Sequence, residues 1–339
     1  MQPIYIIEQG AKVRARNQCI LIERSGEDLS AEAVQVPIGT ISQLVLFGNI
    51  SITTPAIALL LEKDIDVAFL TETGKFRGRL YGGSGAQVSL RRAQYRALEN
   101  PDCILTVATQ FVAAKLSHQK ALLQRHNREL GSPTIVKSIQ VIDTMLKRLA
   151  LKENMNSLRG LEGKAAAAYF EGYRQLFQPE WKFERRAKRP SPDAINAMLS
   201  FGYTLLAQIA VSATEVVGLD PYAGFLHVQS YNRQSLGLDI MEEFRPVVDG
   251  VVLWCCRGGQ IVPGDFEEID DIEYPCVMNQ KAKKNFIQAF EKRMKSSFTH
   301  PVTQTKLSMK QCIIEQTRQL ARWLLALPKS FSFQSMGFR

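Results

Sequence analysis

A histidine and three carboxylates fall within seventeen residues of this chain: His227, Asp239, Glu242 and Glu243. They lie in the run Leu226 to Pro246, L-H-V-Q-S-Y-N-R-Q-S-L-G-L-D-I-M-E-E-F-R-P. Carboxylates packed together repel, and a hard divalent metal relieves that repulsion, so these residue types form a workable ligand set. The acids need a helix to meet. At about 100° per residue, positions i, i+3 and i+4 share one face, which would gather Asp239, Glu242 and Glu243. Ile240, Met241, Phe244 and Val248 fall on the opposite face and would hold the helix against a core. A plain solvated face has the same periodicity, and a single histidine is often only a hydrogen-bonded structural residue. Pro246 stands four residues after Glu242 and cannot donate to its carbonyl, so the helix bends or ends there.

The elements that must position these residues are legible in outline. Short β-branched and aromatic runs predict strands at Ile4-Tyr5-Ile6-Ile7, Cys19-Ile20-Leu21-Ile22, Leu44-Val45-Leu46-Phe47 and Val67-Ala68-Phe69-Leu70. Thr54 as N-cap and Pro55 at the first helical position predict one short helix through Glu62. A turn at Gly74 leads into Lys75 to Leu80. Gly82-Gly83-Ser84-Gly85 marks a boundary; without a following G-K-[ST] it is no P-loop.

From about Val88 the periodicity is helical, with long stretches over 103–130 and 134–152. His118 and His126 are expected there as surface or capping residues. A further helix is predicted from Pro192 to Val217, with Ser191 as N-cap and Gly218 just past its end. It is apolar enough to raise the question of a membrane span. However, Asn196, Ser200, Thr204, Gln208 and Ser212 recur every four residues and Glu215 follows, which predicts the central helix of a bundle. The expected architecture is α+β and multidomain. Residues 1–82 form a small N-terminal β domain, β-sandwich-like with one short helix, and 83–90 a linker. Residues 91–328 form a larger all-α C-terminal domain, and 329–339 a flexible tail.

The wording of several segments resembles one family. Gly224 to Pro246 is similar to a G-[FY]-L-H turn followed by an S-L-x-x-D-[LI]-M-E-x-F-R-P helix. Asn156 to Phe170 resembles N-x-x-x-[RL]-G-x-E-G-x-A-A-x-x-Y-F, and Arg186 to Tyr203 resembles R-x-x-R-P-x-x-D-x-x-N-A-x-L-S-F-G-Y. Val36 to Pro55 is similar to the same family's small β domain. In this order and spacing, the motifs resemble those of the CRISPR-associated protein one family, the integrase and endonuclease of CRISPR adaptation.

Carried over by motif, the resemblance implies Glu162, His227 and Glu242 as metal ligands and Asp239 as a further catalytic acid; Glu243 is not carried over. Many members have Asp where this chain has Glu242, which moves the carboxylate by about one methylene. The implied reaction is a transesterification in which the 3′-hydroxyl of captured DNA attacks a phosphodiester at the repeat, together with cleavage of DNA, branched DNA in particular. The implied cofactor is Mg2+ or Mn2+, with Mn2+ at least as effective because an imidazole is a softer ligand than oxygen. The implied partners are double-stranded DNA, a second copy of the chain, and a small adaptation protein of ferredoxin-like fold. Two rival readings stay open: a non-catalytic DNA-binding scaffold of the same fold, and a general metal-dependent nuclease without integration activity.

Charge distribution bears on the substrate. The net charge is +9, yet residues 1–85 carry 8 Lys and Arg against 9 Asp and Glu. The excess therefore lies entirely in the part that holds the acids. An acidic metal cluster within a basic domain suits a polyanion. Lys182, Arg185, Arg186, Lys188 and Arg189 lie within eight residues, beside Trp181 and Phe183, which suits phosphate contacts and base stacking. Lys281, Lys283, Lys284, Lys292, Arg293 and Lys295 form a second basic group on a predicted helix. Six cysteines without a C-x-x-C pair read as buried free thiols in a reducing cytosol, so the expected location is cytoplasmic. The N-terminus lacks a basic segment leading into a long apolar run, so no secretory signal is expected.

Overall fold

The computed structural model describes residues 2–24, 33–82, 87–187, 190–270, 272, 275–300 and 303–326. The chain divides into two compact units, Met1–Ser84 and Gly85–Arg339.

The first unit holds β1 (Gln2–Ile6), β2 (Lys12–Arg16), β3 (Cys19–Glu23), β4 (Val34–Pro37), β5 (Ile41–Phe47), β6 (Ser51–Ile52), α1 (Thr54–Glu62), β7 (Asp66–Leu70) and β8 (Phe76–Leu80). Two four-stranded sheets result, in the orders β1-β5-β7-β8 and β4-β3-β2-β6. β5 pairs in parallel with both β1 and β7, and a parallel pair needs a crossover, which α1 supplies between β5 and β7. Ile6, Val13, Ile20, Ile41, Leu44, Leu60 and Val67 form one buried cluster drawn from both sheets and α1. The cap of α1 lies one residue earlier than expected. Thr53 is its N-cap, and Pro55 sits inside the first turn, where its missing N–H costs no hydrogen bond.

The second unit contains α2 (Val88–Leu98), α3 (Pro101–Leu130), α4 (Pro133–Arg148), α5 (Met155–Arg174), α6 (Ala194–Val217), α7 (Ser235–Glu242), α8 (Arg245–Arg257), α9 (Gln280–Lys295) and α10 (Met309–Ala326). α2 begins inside the stretch expected as linker. The unit is mostly helical, as expected, and also holds two short strand pairs: β9 (Phe266–Glu268) with β10 (Cys276–Met278), and β11 (Ser297–Thr299) with β12 (Lys306–Ser308). Three-residue strands are too short to show an alternating pattern, which is why the sequence conceals them. The expected tail 329–339 lies outside the described residues.

Caps fix the long helices. The Asn100 side chain accepts from the amides of Asp102 and Cys103 to open α3. Asn154 and Ser157 form a reciprocal capping box on α5. α6 is capped by Asp193 rather than Ser191, and ends at Gly218 with φ 93°, a backbone conformation that glycine adopts without strain. By length and apolar composition α6 could cross a membrane, but 72% of its most apolar window is buried within the protein, as befits a core helix. All six cysteines are free thiols, and burial pushes the Cys255 thiol up to about 12.

Candidate active site

α7 ends at Glu242, and α8 begins at Arg245 with Pro246 in its first turn. Pro246 therefore separates two helices rather than kinking one. It puts Asp239 and Glu242 on the last turn of one helix and Arg245 at the start of the next. None of the three acids is solvated: Asp239 and Glu243 are 0% exposed and Glu242 is 2% exposed. Nor do all three meet. Consecutive helical residues point about 100° apart, so Glu242 and Glu243 diverge. Glu243 accepts from Gln316 Nε2 of α10 at 2.8 Å, away from the other two. Its carbonyl lies 2.6 Å from His118 Nδ1, so His118 is a buried cap on the end of α7 rather than a surface residue.

His227 and Asp239 are brought together by the turn after Gly224. Asp239 Oδ2 accepts from the amides of Phe225 at 2.5 Å and Leu226 at 2.9 Å, and Oδ1 from the amide of His227 at 2.9 Å. Oδ1 also lies 2.7 Å from His227 Nδ1. An ionised carboxylate only accepts, so Nδ1 carries the proton and Nε2 of the neutral ring keeps its lone pair. That Nε2 is 3.8 Å from Glu242 Oε1. Gly224 permits the close approach, since a Cβ there would stand 2.8 Å from Asp239 Oδ2 and 2.7 Å from Ser235.

Glu162, half-buried on α5, reaches the same place through a residue that the sequence did not single out. Lys115 of α3 lies with Nζ 2.5 Å from Glu162 Oε1 and 2.6 Å from Glu242 Oε2. Arg245 Nη1 donates to Glu242 Oε1 at 2.5 Å. Burial raises the pKa of Glu242, but Arg245 and then Lys115 outweigh it and hold the carboxyl at about 2. Among the described residues, no three His, Cys, Asp or Glu side chains converge as a ready metal cage. The Lys115 ammonium instead lies between the two glutamates, where a cation is wanted. The donor set nevertheless fits a divalent ion: two carboxylates, one imidazole nitrogen held as an acceptor, and a buried Glu242 Oε2 that accepts no hydrogen bond beyond its ion pair with Lys115.

A second buried layer supports Arg245. Its guanidinium lies 4.3 Å from the centre of the Tyr203 ring. Tyr203 donates to Asp249 Oδ1 at 2.5 Å, Tyr169 to Oδ2 at 2.7 Å, and Tyr173 to the Asp249 carbonyl at 2.8 Å. This network ties α5 and α6 to α8. One signal for Lys115 existed, a cation inside the apolar run Phe111 to Leu116 of a long helix, because lysine is buried only when paired. Asp249 had the same kind of sign, an acid inside the apolar run Val247 to Leu253.

The basic run divides. Trp181 and Phe183 are each 5% exposed, so they are core side chains and not a stacking platform. Arg186 donates to Asn196 Oδ1, Ser200 Oγ and the Ala187 carbonyl, which turns it into the protein. Lys182 and Arg185 are exposed, and Lys188 and Arg189 lie outside the described residues. The second basic group does lie on one helix, α9, with Lys283 buried and the rest exposed.

The sequence pattern of CRISPR associated protein Cas1 matches residues 4–292. The chain belongs to the Cas1 family. Over 96% of its length it is 32% identical to a CRISPR-associated endonuclease Cas1 of Chlorobaculum tepidum, 95% of which is covered. It is 33% identical over 95% of its length to a CRISPR-associated exonuclease Cas4/endonuclease Cas1 fusion of Geobacter sulfurreducens, of which it spans 58%. Against that relative, the chain corresponds to little more than half the protein. A solved casposase bound to integration product shares the Cas1-like fold, with TM-score 0.86 and 21% identity over 100% of this chain and 95% of that one.

Proposed function

We propose that this member of the Cas1 family is a metal-dependent DNA endonuclease and integrase of CRISPR adaptation. It joins the 3′-hydroxyl ends of captured DNA to repeat DNA by transesterification, and it cleaves DNA, branched DNA in particular. The observation that carries the reading is Glu242, which stands 3.8 Å from His227 Nε2 and shares the Lys115 ammonium with Glu162, with Asp239 fixing the tautomer of His227. Glu162, His227 and Glu242 would hold Mg2+ or Mn2+. Such an ion, when bound, supplies a Lewis acid for the phosphoryl oxygens and the attacking hydroxyl.

The side chains have separate tasks. Asp239 is a positioning residue, because both of its oxygens are occupied by backbone amides and the His227 ring. Such a carboxylate behind a histidine orients the ring. Arg245 keeps Glu242 ionised and aimed, and Tyr203 and Asp249 keep Arg245 in place. Exposed cations such as Lys182 and Arg185 would take up DNA phosphates. Double-stranded DNA, a second copy of the chain and a small adaptation protein of ferredoxin-like fold belong to the same proposal.

The test uses short duplexes, a supercoiled repeat-bearing plasmid, the small partner protein and Mn2+, with branched-DNA cleavage assayed in parallel. The wild type should give both joined product and cleavage. His227→Ala and Glu162→Ala should each abolish both while leaving the circular dichroism spectrum and DNA affinity nearly unchanged. Full activity in either variant would remove that residue from the site. Cleavage without joining by the wild type would leave a nuclease that does not integrate.

A further inference from the structure

We infer that Lys115 is a resident counter-cation of the Glu162–Glu242 pair, holding the two carboxylates together in the metal-free protein and yielding its place when a divalent ion enters. The inference rests on the metal-site reading above and adds the residue that governs how tightly the site takes its ion.

Two glutamates drawn to one point repel, and Glu242 is 2% exposed, so water does little to screen it. The structure meets that repulsion with a lysine that is itself 6% exposed. Its ammonium lies 2.5 Å from one carboxylate and 2.6 Å from the other, near enough to both to act as a bridge. Glu162 and Glu242 carry two negative charges, and Lys115 and Arg245 carry two positive ones. These four charges balance one another, and a divalent ion entering between the two glutamates meets the Lys115 and Arg245 charges until one cation withdraws.

The two cations differ in how free they are to do so. Arg245 is packed against the Tyr203 ring and grips Glu242 through a planar guanidinium. Lys115 is a point charge on a flexible four-carbon stem, and its partner Glu162 keeps a side-chain exposure of 30%, which leaves the cluster open on that side. Lys115 is therefore the cation that moves. Once displaced it stays tethered beside the site, where a positive charge favours an incoming phosphate.

The test measures Mn2+ binding by the free-ion electron paramagnetic resonance signal, and melting temperature in EDTA and in Mn2+, for the wild type, Lys115→Met and Lys115→Gln. Removing the competing charge should tighten Mn2+ binding at least tenfold. The variants should melt lower than the wild type in EDTA and recover in Mn2+, whereas the wild type should respond much less to the metal. A variant unfolded in EDTA that folds on adding Mn2+ gives the same support. Unchanged or weaker Mn2+ binding in both variants would overturn the inference, as would failure of both to fold even with Mn2+. Glu162→Ala and His227→Ala, measured alongside, keep the two ideas apart. If they bind Mn2+ as the wild type does, the metal-site reading itself has failed.

Discussion

Asp239 Oδ1 lies 2.7 Å from His227 Nδ1 and accepts the amide of the same residue at 2.9 Å, so one carboxylate oxygen sets both the backbone and the ring of His227. The other oxygen closes the preceding turn. Position and tautomer of the imidazole are therefore set by a residue twelve positions away on a different element, and Asp239 needs no contact with substrate to matter.

Asp239→Asn tests that relationship. Asparagine offers one accepting oxygen to a site with four donors, and its amide nitrogen faces hydrogen-bond donors. Activity should fall by roughly 10- to 100-fold, as for other partners behind a ligating histidine. Stability should fall by about 1–3 kcal/mol as buried donors lose their acceptor. Paired activity and urea-unfolding measurements check it. A variant with wild-type activity would show that the ring is oriented by something else.

The basic run should separate into structural and DNA-facing members. Arg186→Ala should cost roughly 3 kcal/mol, since several partly buried hydrogen bonds to a charged group are lost. Lys182→Gln and Arg185→Gln should leave stability within about 0.5 kcal/mol. Each phosphate contact that they lose should instead reduce the log–log salt slope of duplex binding by about 0.9. Titrations of DNA at several salt concentrations read this directly. An unchanged slope in the double variant would make both residues ordinary surface cations.

Asp249 should leave a mark on the pH dependence of stability. Burial pushes its carboxyl up to about 6, against the downward pull of hydrogen bonds from Tyr203 and Tyr169. Between its ordinary value of 3.8 and about 6, the folded protein holds a proton that the unfolded chain has released. Its contribution to stability is therefore complete below pH 3.8 and is lost as the pH rises through about 6. A rise from 3.8 to about 6 corresponds to roughly 3 kcal/mol. Asp249→Asn, neutral throughout, should lack that decline, so the stability difference between wild type and variant should change across pH 4 to 7. Parallel urea-unfolding curves over that range would refute the assignment.

Sequence by itself settled what local physics and motif wording can settle. β-branched and aromatic runs placed β1, β3, β5 and β7 of the first unit, Gly218 marked the end of α6, and Pro246 marked a break after Glu242. The motif around His227 named His227 and Asp239, whose side chains the fold sets 2.7 Å apart. These features depend on steric and hydrogen-bonding rules that act within a few residues.

Tertiary structure decided which charges meet. Asp239, Glu242 and Glu243 share a heptad's worth of helix, yet consecutive side chains diverge, and packing against α10 takes Glu243 away from its neighbours. Trp181 and Phe183 look like a stacking platform in sequence and are core residues in the fold, because burial depends on what covers them. His118 caps a helix that begins more than one hundred residues later in the chain. Lys115 lies 47 positions from Glu162 and farther still from Glu242, and only the packing of α3 against α5 and α7 puts its ammonium between them. Coulomb interactions fall off with distance in space, not in sequence, and so nothing local said which residues would partner Lys115 and Glu242.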